Sequence, residues 1–112
     1  MSRDDATLLD VVGAARLACG FIEGMDRAGF ESDLKTQSAI LHQLLIIGEA
    51  TKRLSDGFRG TLPDVPWSEM AGMRDRLIHG YDAVDLDEVW RTVVRDLPDL
   101  VRVLAPYLPR AT

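Results

Sequence analysis

The sequence predicts an all-α fold, a four- to five-helix up-and-down bundle forming a single domain over residues 1–112. Three observations lead there. No stretch alternates in the two-residue period of a strand, while apolar residues recur at three- and four-residue spacing almost throughout. A chain of 112 residues has the length of one domain and can bury a real core. With 46% hydrophobic and 28% charged residues, it has the composition of a folded soluble chain rather than a disordered one.

The first helix is expected from about Ala6 to Ala28, with Leu8, Val11, Val12, Ala15, Ala18, Ile22 and Met25 as its buried stripe. Gly13, Gly20 and Gly24 weaken it, each by up to ~1 kcal/mol relative to alanine, so packing must hold it. The segment AGFES, residues 28–32, reads as a turn. A second helix is expected from about Asp33 to Ser55, with Ile40, Leu41, Leu44, Leu45, Ile47 and Leu54 facing a core. It is apolar over more than one stripe, and a helix apolar on two sides packs on two sides, which predicts a homodimer. Gly48 suits the close approach of a neighbouring backbone, or is a tolerated defect. Residues 56–66, DGFRGTLPDVP, read as the longest loop. Pro66 then opens a third helix, where its missing donor costs nothing, and that helix runs to about His79 or Gly80. A fourth helix starts near Asp85, which with Glu88 resembles a capping box. Its stripe is Val89, Trp90, Val93, Val94 and Leu97, and Pro98 is expected to kink or split it. A last segment from Asp99 to about Leu104 ends before Pro106.

The net charge of −5 disfavours a general nucleic-acid or membrane surface. It is unevenly spread. Residues 52–76 set Lys52, Arg53, Arg59, Arg74 and Arg76 against Asp56, Asp64, Glu69 and Asp75, a net +1 that leaves −6 for the rest. A local polyanion site is compatible with that; a broad basic face is not. Cys19 is the single cysteine, so no internal disulfide forms and a reducing compartment is expected. Its neighbours Ala18, Phe21 and Ile22 favour a buried core thiol over a nucleophile. No segment approaches ~20 apolar residues, and the N-terminus is acidic, so neither a membrane span nor a signal peptide is expected and the chain reads as cytoplasmic.

Chemistry concentrates in MRDRLIHGY, residues 73–81, with Arg74, Arg76, His79 and Tyr81 within eight positions. On the third helix Met70, Met73 and Leu77 share the core face. Asp75 and His79 are four apart, so an ionised Asp75 can orient the imidazole and favour its charged form. Arg74 and Tyr81 are seven apart and return to nearly one azimuth if the helix continues. Histidine moves protons near neutral pH, and arginine grips a phosphate through two parallel hydrogen bonds. Phosphodiester cleavage needs both. Arg74 and His79 lie about 140° apart on an ideal helix, so one copy converges poorly and two copies facing each other would complete a cleft. The plainer reading is a solvated helix end, where Arg and His⁺ also suit the macrodipole. His42 and His79 lack any ligand spacing, so no metal site is expected and no cofactor is implied. His42 is read as a packed or surface residue, and Trp67 and Trp90 as core rather than base-stacking platforms.

The stretch Arg74-Asp75-Arg76-Leu77-Ile78-His79-Gly80-Tyr81 resembles the R-polar-x₃-H-x-Y pattern of HEPN-domain ribonucleases, in particular the HepT toxin family. IIGEATKRLS (residues 46–55), LPDVPWSEMAGMRDRLIHGYDAVDLDEVW (62–90) and DLPDLVRVL (96–104) resemble further blocks of that family. The resemblance implies an all-α homodimer, with two motifs meeting in a cleft that cuts RNA without metal, the RNA 2′-hydroxyl acting as internal nucleophile. Carried onto this chain, Arg74 would stabilise the phosphate and His79 would be the general acid or base, supported by Asp75 and Arg76. Family members often have Asn where Asp75 stands, which leaves the charge of the site open. The implied partner is a minimal nucleotidyltransferase antitoxin that adenylylates the motif tyrosine, here Tyr81. The alternative is a noncatalytic helical module that binds such a transferase or its nucleotide.

Overall fold

The computed structural model describes residues 1–77 and 84–110, the side chains of Arg74 and Arg76 excepted. Every regular element among them is helical, and they form an all-α bundle. Ser2 starts α1 (Arg3–Phe21): its hydroxyl accepts the Asp5 N–H while the Asp5 carboxylate accepts the Ser2 N–H. That reciprocal cap begins the helix three residues before the predicted Ala6. The helix also stops early, at Phe21, and the chain turns through Gly24, whose φ of 76° suits glycine. Asp26 then caps α2 (Arg27–Glu31), accepting from the Gly29 N–H, so the expected AGFES turn is a short helix. What holds it is Phe30, fully buried and 5.4 Å from the Trp90 ring, and Gln37, whose amide donates to the Phe30 and Glu31 carbonyls.

The second long helix, α3 (Leu34–Arg53), matches its predicted span. Asp33 caps it, accepting from the Thr36 N–H and hydroxyl at 3.0 and 2.7 Å, and these bonds hold its carboxyl below the usual range. Ile40, Leu44, Ile47 and Leu54 are buried as expected, but Leu41 is half-buried and Leu45 exposed. α1 and α3 run antiparallel. The Asp4 carboxylate takes the Ser55 hydroxyl and N–H at 2.6 and 2.9 Å, which lowers its pKa, and Arg53 lies 3.9 Å from Asp10.

Residues 56–66 are only partly loop. Ser55 caps α4 (Asp56–Thr61), and Phe58 packs edge-on to Trp67 and Tyr107, with centroids 6.2 and 5.8 Å away. Pro66 stands just before α5 (Trp67–Ala71), one place earlier than predicted. The expected third helix is broken at Gly72 into α5 and α6 (Met73–Leu77); its continuation to His79 lies outside the described residues. The fourth rod runs without interruption from α7 (Leu86–Arg91) through a π-helical turn (Thr92–Asp96) into α8 (Leu97–Leu104) and a 3₁₀ turn (Ala105–Tyr107). Pro98 therefore does not split it. The wider π turn absorbs the missing donor and the crowding of its ring against the Val94 carbonyl. The wide turn also rotates Val94 into solvent, against the expected stripe, while Val89, Val93 and Leu97 stay buried and Trp90 half-buried. Half-buried Cys19 packs beside this turn, its thiol 3.7 Å from the Val93 carbonyl and pushed up in pKa by desolvation. The buried hydroxyls of Thr7, Thr51 and Thr92 each donate to the carbonyl four residues back, so none is orphaned. No helix among the described residues is long and apolar enough to cross a membrane.

Candidate active site

The motif rests on α5 and α6, and the sequence explains why these short helices hold their place. Trp67 opens α5 with its indole N–H donating to the carbonyls of Arg59 and Leu62 at 3.1 and 3.0 Å. A buried tryptophan with its polar atom satisfied is a rigid anchor. Met70, Met73 and Leu77 are buried in a row, as their spacing predicts. α3 comes very close from the other side: a Cβ on Gly48 would lie 3.2 Å from the Met70 carbonyl. The neighbouring backbone that Gly48 admits is thus this chain's own α5.

Downstream, the Asp85 N–H donates to the Leu77 carbonyl at 3.0 Å. This bond ties the end of α6 to the start of α7. The Asp85 side chain meanwhile caps α7 through the Glu88 N–H at 3.0 Å. Two further contacts fix α7 from α2: the Phe30–Trp90 ring pair and the Arg27–Asp87 salt bridge. The backbone bond thus joins Leu77 and Asp85 directly, across the seven intervening positions of sequence.

Of the predicted site, the backbones of Arg74, Asp75 and Arg76 lie in α6, and Asp75 is exposed there. The side chains of Arg74 and Arg76, and His79 and Tyr81 altogether, lie outside the described residues, as does the predicted Asp75–His79 contact. His42 is on the surface of α3, away from the core. Sequence reasoning missed the clasp between Leu77 and Asp85. Asp85 was legible as a cap, but a backbone bond between helices leaves no mark in the pattern.

The family model for "Ribonuclease HepT-like" matches residues 12–106. The chain belongs to the HepT-like ribonuclease family. The match spans α5, α6, the clasp and α7, as well as the motif. Among its relatives, "Probable ribonuclease HepT" of Thermococcus cleftensis is 43% identical over 93 residues, covering 83% of this chain and 84% of that protein. Two proteins of Methanocaldococcus jannaschii carrying the provisional names RNase MJ0127 and RNase MJ1380 are each 35% identical. The first alignment covers 87% of this chain and 80% of the relative; the second covers 89% and 94%. No solved structure matches significantly. An endoribonuclease is the class of enzyme that membership in the HepT-like family assigns.

Proposed function

We propose that this HepT-like chain is a metal-independent endoribonuclease toxin that works as a homodimer and is silenced by adenylylation of Tyr81. The observation that carries the reading is the family match across residues 12–106, with Arg74, His79 and Tyr81 intact inside it. In the cleavage step the RNA 2′-oxygen attacks the adjacent phosphorus and the bond to the 5′-oxygen breaks. His79 takes the 2′ proton or delivers one to the departing oxygen. Arg74 binds the non-bridging oxygens as their charge grows, and Arg76 and Asp75 support it. The net charge of −5 makes such a local device necessary, because the molecule as a whole repels RNA.

The second apolar side of α3 supports the homodimer. Leu34, Leu41 and Leu45 fall on one stripe at about 100° per residue. Leu34 is 76% exposed and Leu45 36%. The stripe borders Gly48 and hence the flank of α3 that carries α5, so pairing there brings two motifs toward one cleft. Sedimentation is expected to give a dimer at micromolar concentration. Leu45→Arg, at an exposed position that the fold does not need, is expected to give a folded monomer without ribonuclease activity. A wild-type monomer that cleaves RNA would refute the shared cleft.

Silencing follows from charge. The Tyr81 phenolic oxygen attacks the α-phosphorus of ATP, pyrophosphate leaves, and the adenylyl group places bulk and a negative charge beside Arg74 and His79. Coexpression with a minimal nucleotidyltransferase antitoxin is expected to raise the mass by one or more adenylyl groups, and Tyr81→Phe to remain unmodified. An unchanged wild-type mass in the inhibited complex would mean inhibition by binding alone.

A further inference from the structure

A groove of about 510 Å³ lies between α5–α6 and α8, closed at one end by the turn after α4. Its floor is apolar: Val65, Met70, Met73, Leu97, Leu100 and Val103. Its rim is acidic. Asp64, Asp96 and Asp99 line it, and no lysine, arginine or histidine does among the described residues. Glu69 also lines it but is already engaged within the chain, so Asp64 and Asp96 are the charges that count toward a guest. Asp99 also faces Arg102 at 3.4 Å, a surface pair that adds little. The groove has the size of a specific binding site.

We propose that this groove binds a cationic amphipathic helix of another protein. The occupant is chosen by charge. RNA and anionic lipid would meet carboxylates, and both are repelled. A second copy pairing through the same patch would set one acidic rim against the other. A helix with apolar anchors at i, i+3, i+4 and i+7 and lysines or arginines beside them meets both demands. It lays its anchors on the floor and its cations on the rim. Met70 and Met73 suit such a guest, because methionine repacks around different shapes at small cost. The proposal uses none of Arg74, His79 and Tyr81, although Met73 directly precedes Arg74.

The test uses the full chain and three short synthetic peptides: a Leu/Lys amphipathic helix, its Leu/Glu counterpart, and a scrambled Leu/Lys sequence without the helical stripe. Fluorescence anisotropy measures binding, and methionine methyl NMR reports the place. The Leu/Lys helix is expected to bind, to shift the Met70 and Met73 methyl signals, and to weaken with salt. The Glu and scrambled peptides are expected to bind at least about tenfold more weakly. The double variant Asp64→Lys/Asp96→Lys, both exposed and outside the catalytic motif, is expected to lose about tenfold in affinity with an unchanged melting curve. Val103→Arg, at the half-buried groove edge, is expected to block binding as well. The proposal is overturned if the Leu/Lys helix fails to bind or if the scrambled peptide binds equally. It is equally overturned if the double variant binds unchanged, if an RNA oligonucleotide shifts the same methyls, or if Val103→Arg abolishes self-association instead.

Discussion

His79→Ala is expected to slow RNA cleavage by about 10²–10⁴-fold, the usual worth of a positioned general acid or base. Arg74→Ala is expected to cost about 10²–10³-fold, the scale of a lost electrostatic contact to the transition state. Arg74→Lys should recover only part of that loss. It restores the charge but not the planar fork that meets two phosphate oxygens at once. The assay is cleavage of a labelled RNA by purified protein in EDTA, with circular dichroism confirming that each variant is folded. EDTA removes the metal-dependent nucleases, and the variants expose the others, because a contaminating ribonuclease cuts equally in every sample. If wild type, His79→Ala and Arg74→Ala all leave the RNA intact to the same degree, the chain is a helical module and the alternative reading takes over.

Local signals in the chain were reliable where one residue type has one job. Asp33 and Asp85 start α3 and α7 where their capping chemistry places them, and Met70, Met73 and Leu77 are buried as their spacing requires. Short helices were the weak point. Five or six residues cannot hold a helix by propensity, so α2 and α4 exist through partners distant in sequence. Phe30 meets Trp90, and Phe58 meets Trp67 and Tyr107. Nothing within residues 28–32 or 56–66 announces those partners. The caps were visible in principle, since Asp26 and Ser55 are both good N-cap residues. For the site, the residue types in 74–81 were compatible with phosphate chemistry but equally with a solvated helix end, and the resemblance supplied the roles. The scaffold was less legible, because the Leu77–Asp85 bond and the approach of α3 to α5 are pairings between separate elements.

That approach yields the second large effect, at Gly48→Val. A glycine inside a helix costs about 1 kcal/mol relative to alanine, so on propensity alone any ordinary replacement should stabilise α3. Packing opposes this. The first added carbon would meet the Met70 carbonyl at 3.2 Å and the Ala71 carbonyl at 3.6 Å, and these are backbone atoms that cannot rotate away. For alanine the two effects nearly cancel, and its stability is expected within about 1 kcal/mol of wild type. Valine adds two methyl groups to the same space and is expected to destabilise by about 2–3 kcal/mol in urea unfolding. The larger consequence falls on cleavage. α5 can retreat from α3 only by carrying α6 and Arg74 with it, and a misplacement near 1 Å can cost about 10²-fold in rate. Val12→Ala, buried on α1, provides the comparison: a similar loss of stability, with ribonuclease activity retained below its melting temperature. Equal losses of activity in the two variants would reduce Gly48 to an ordinary packing position. A loss confined to Gly48→Val would make it the residue that sets the motif's distance from the core.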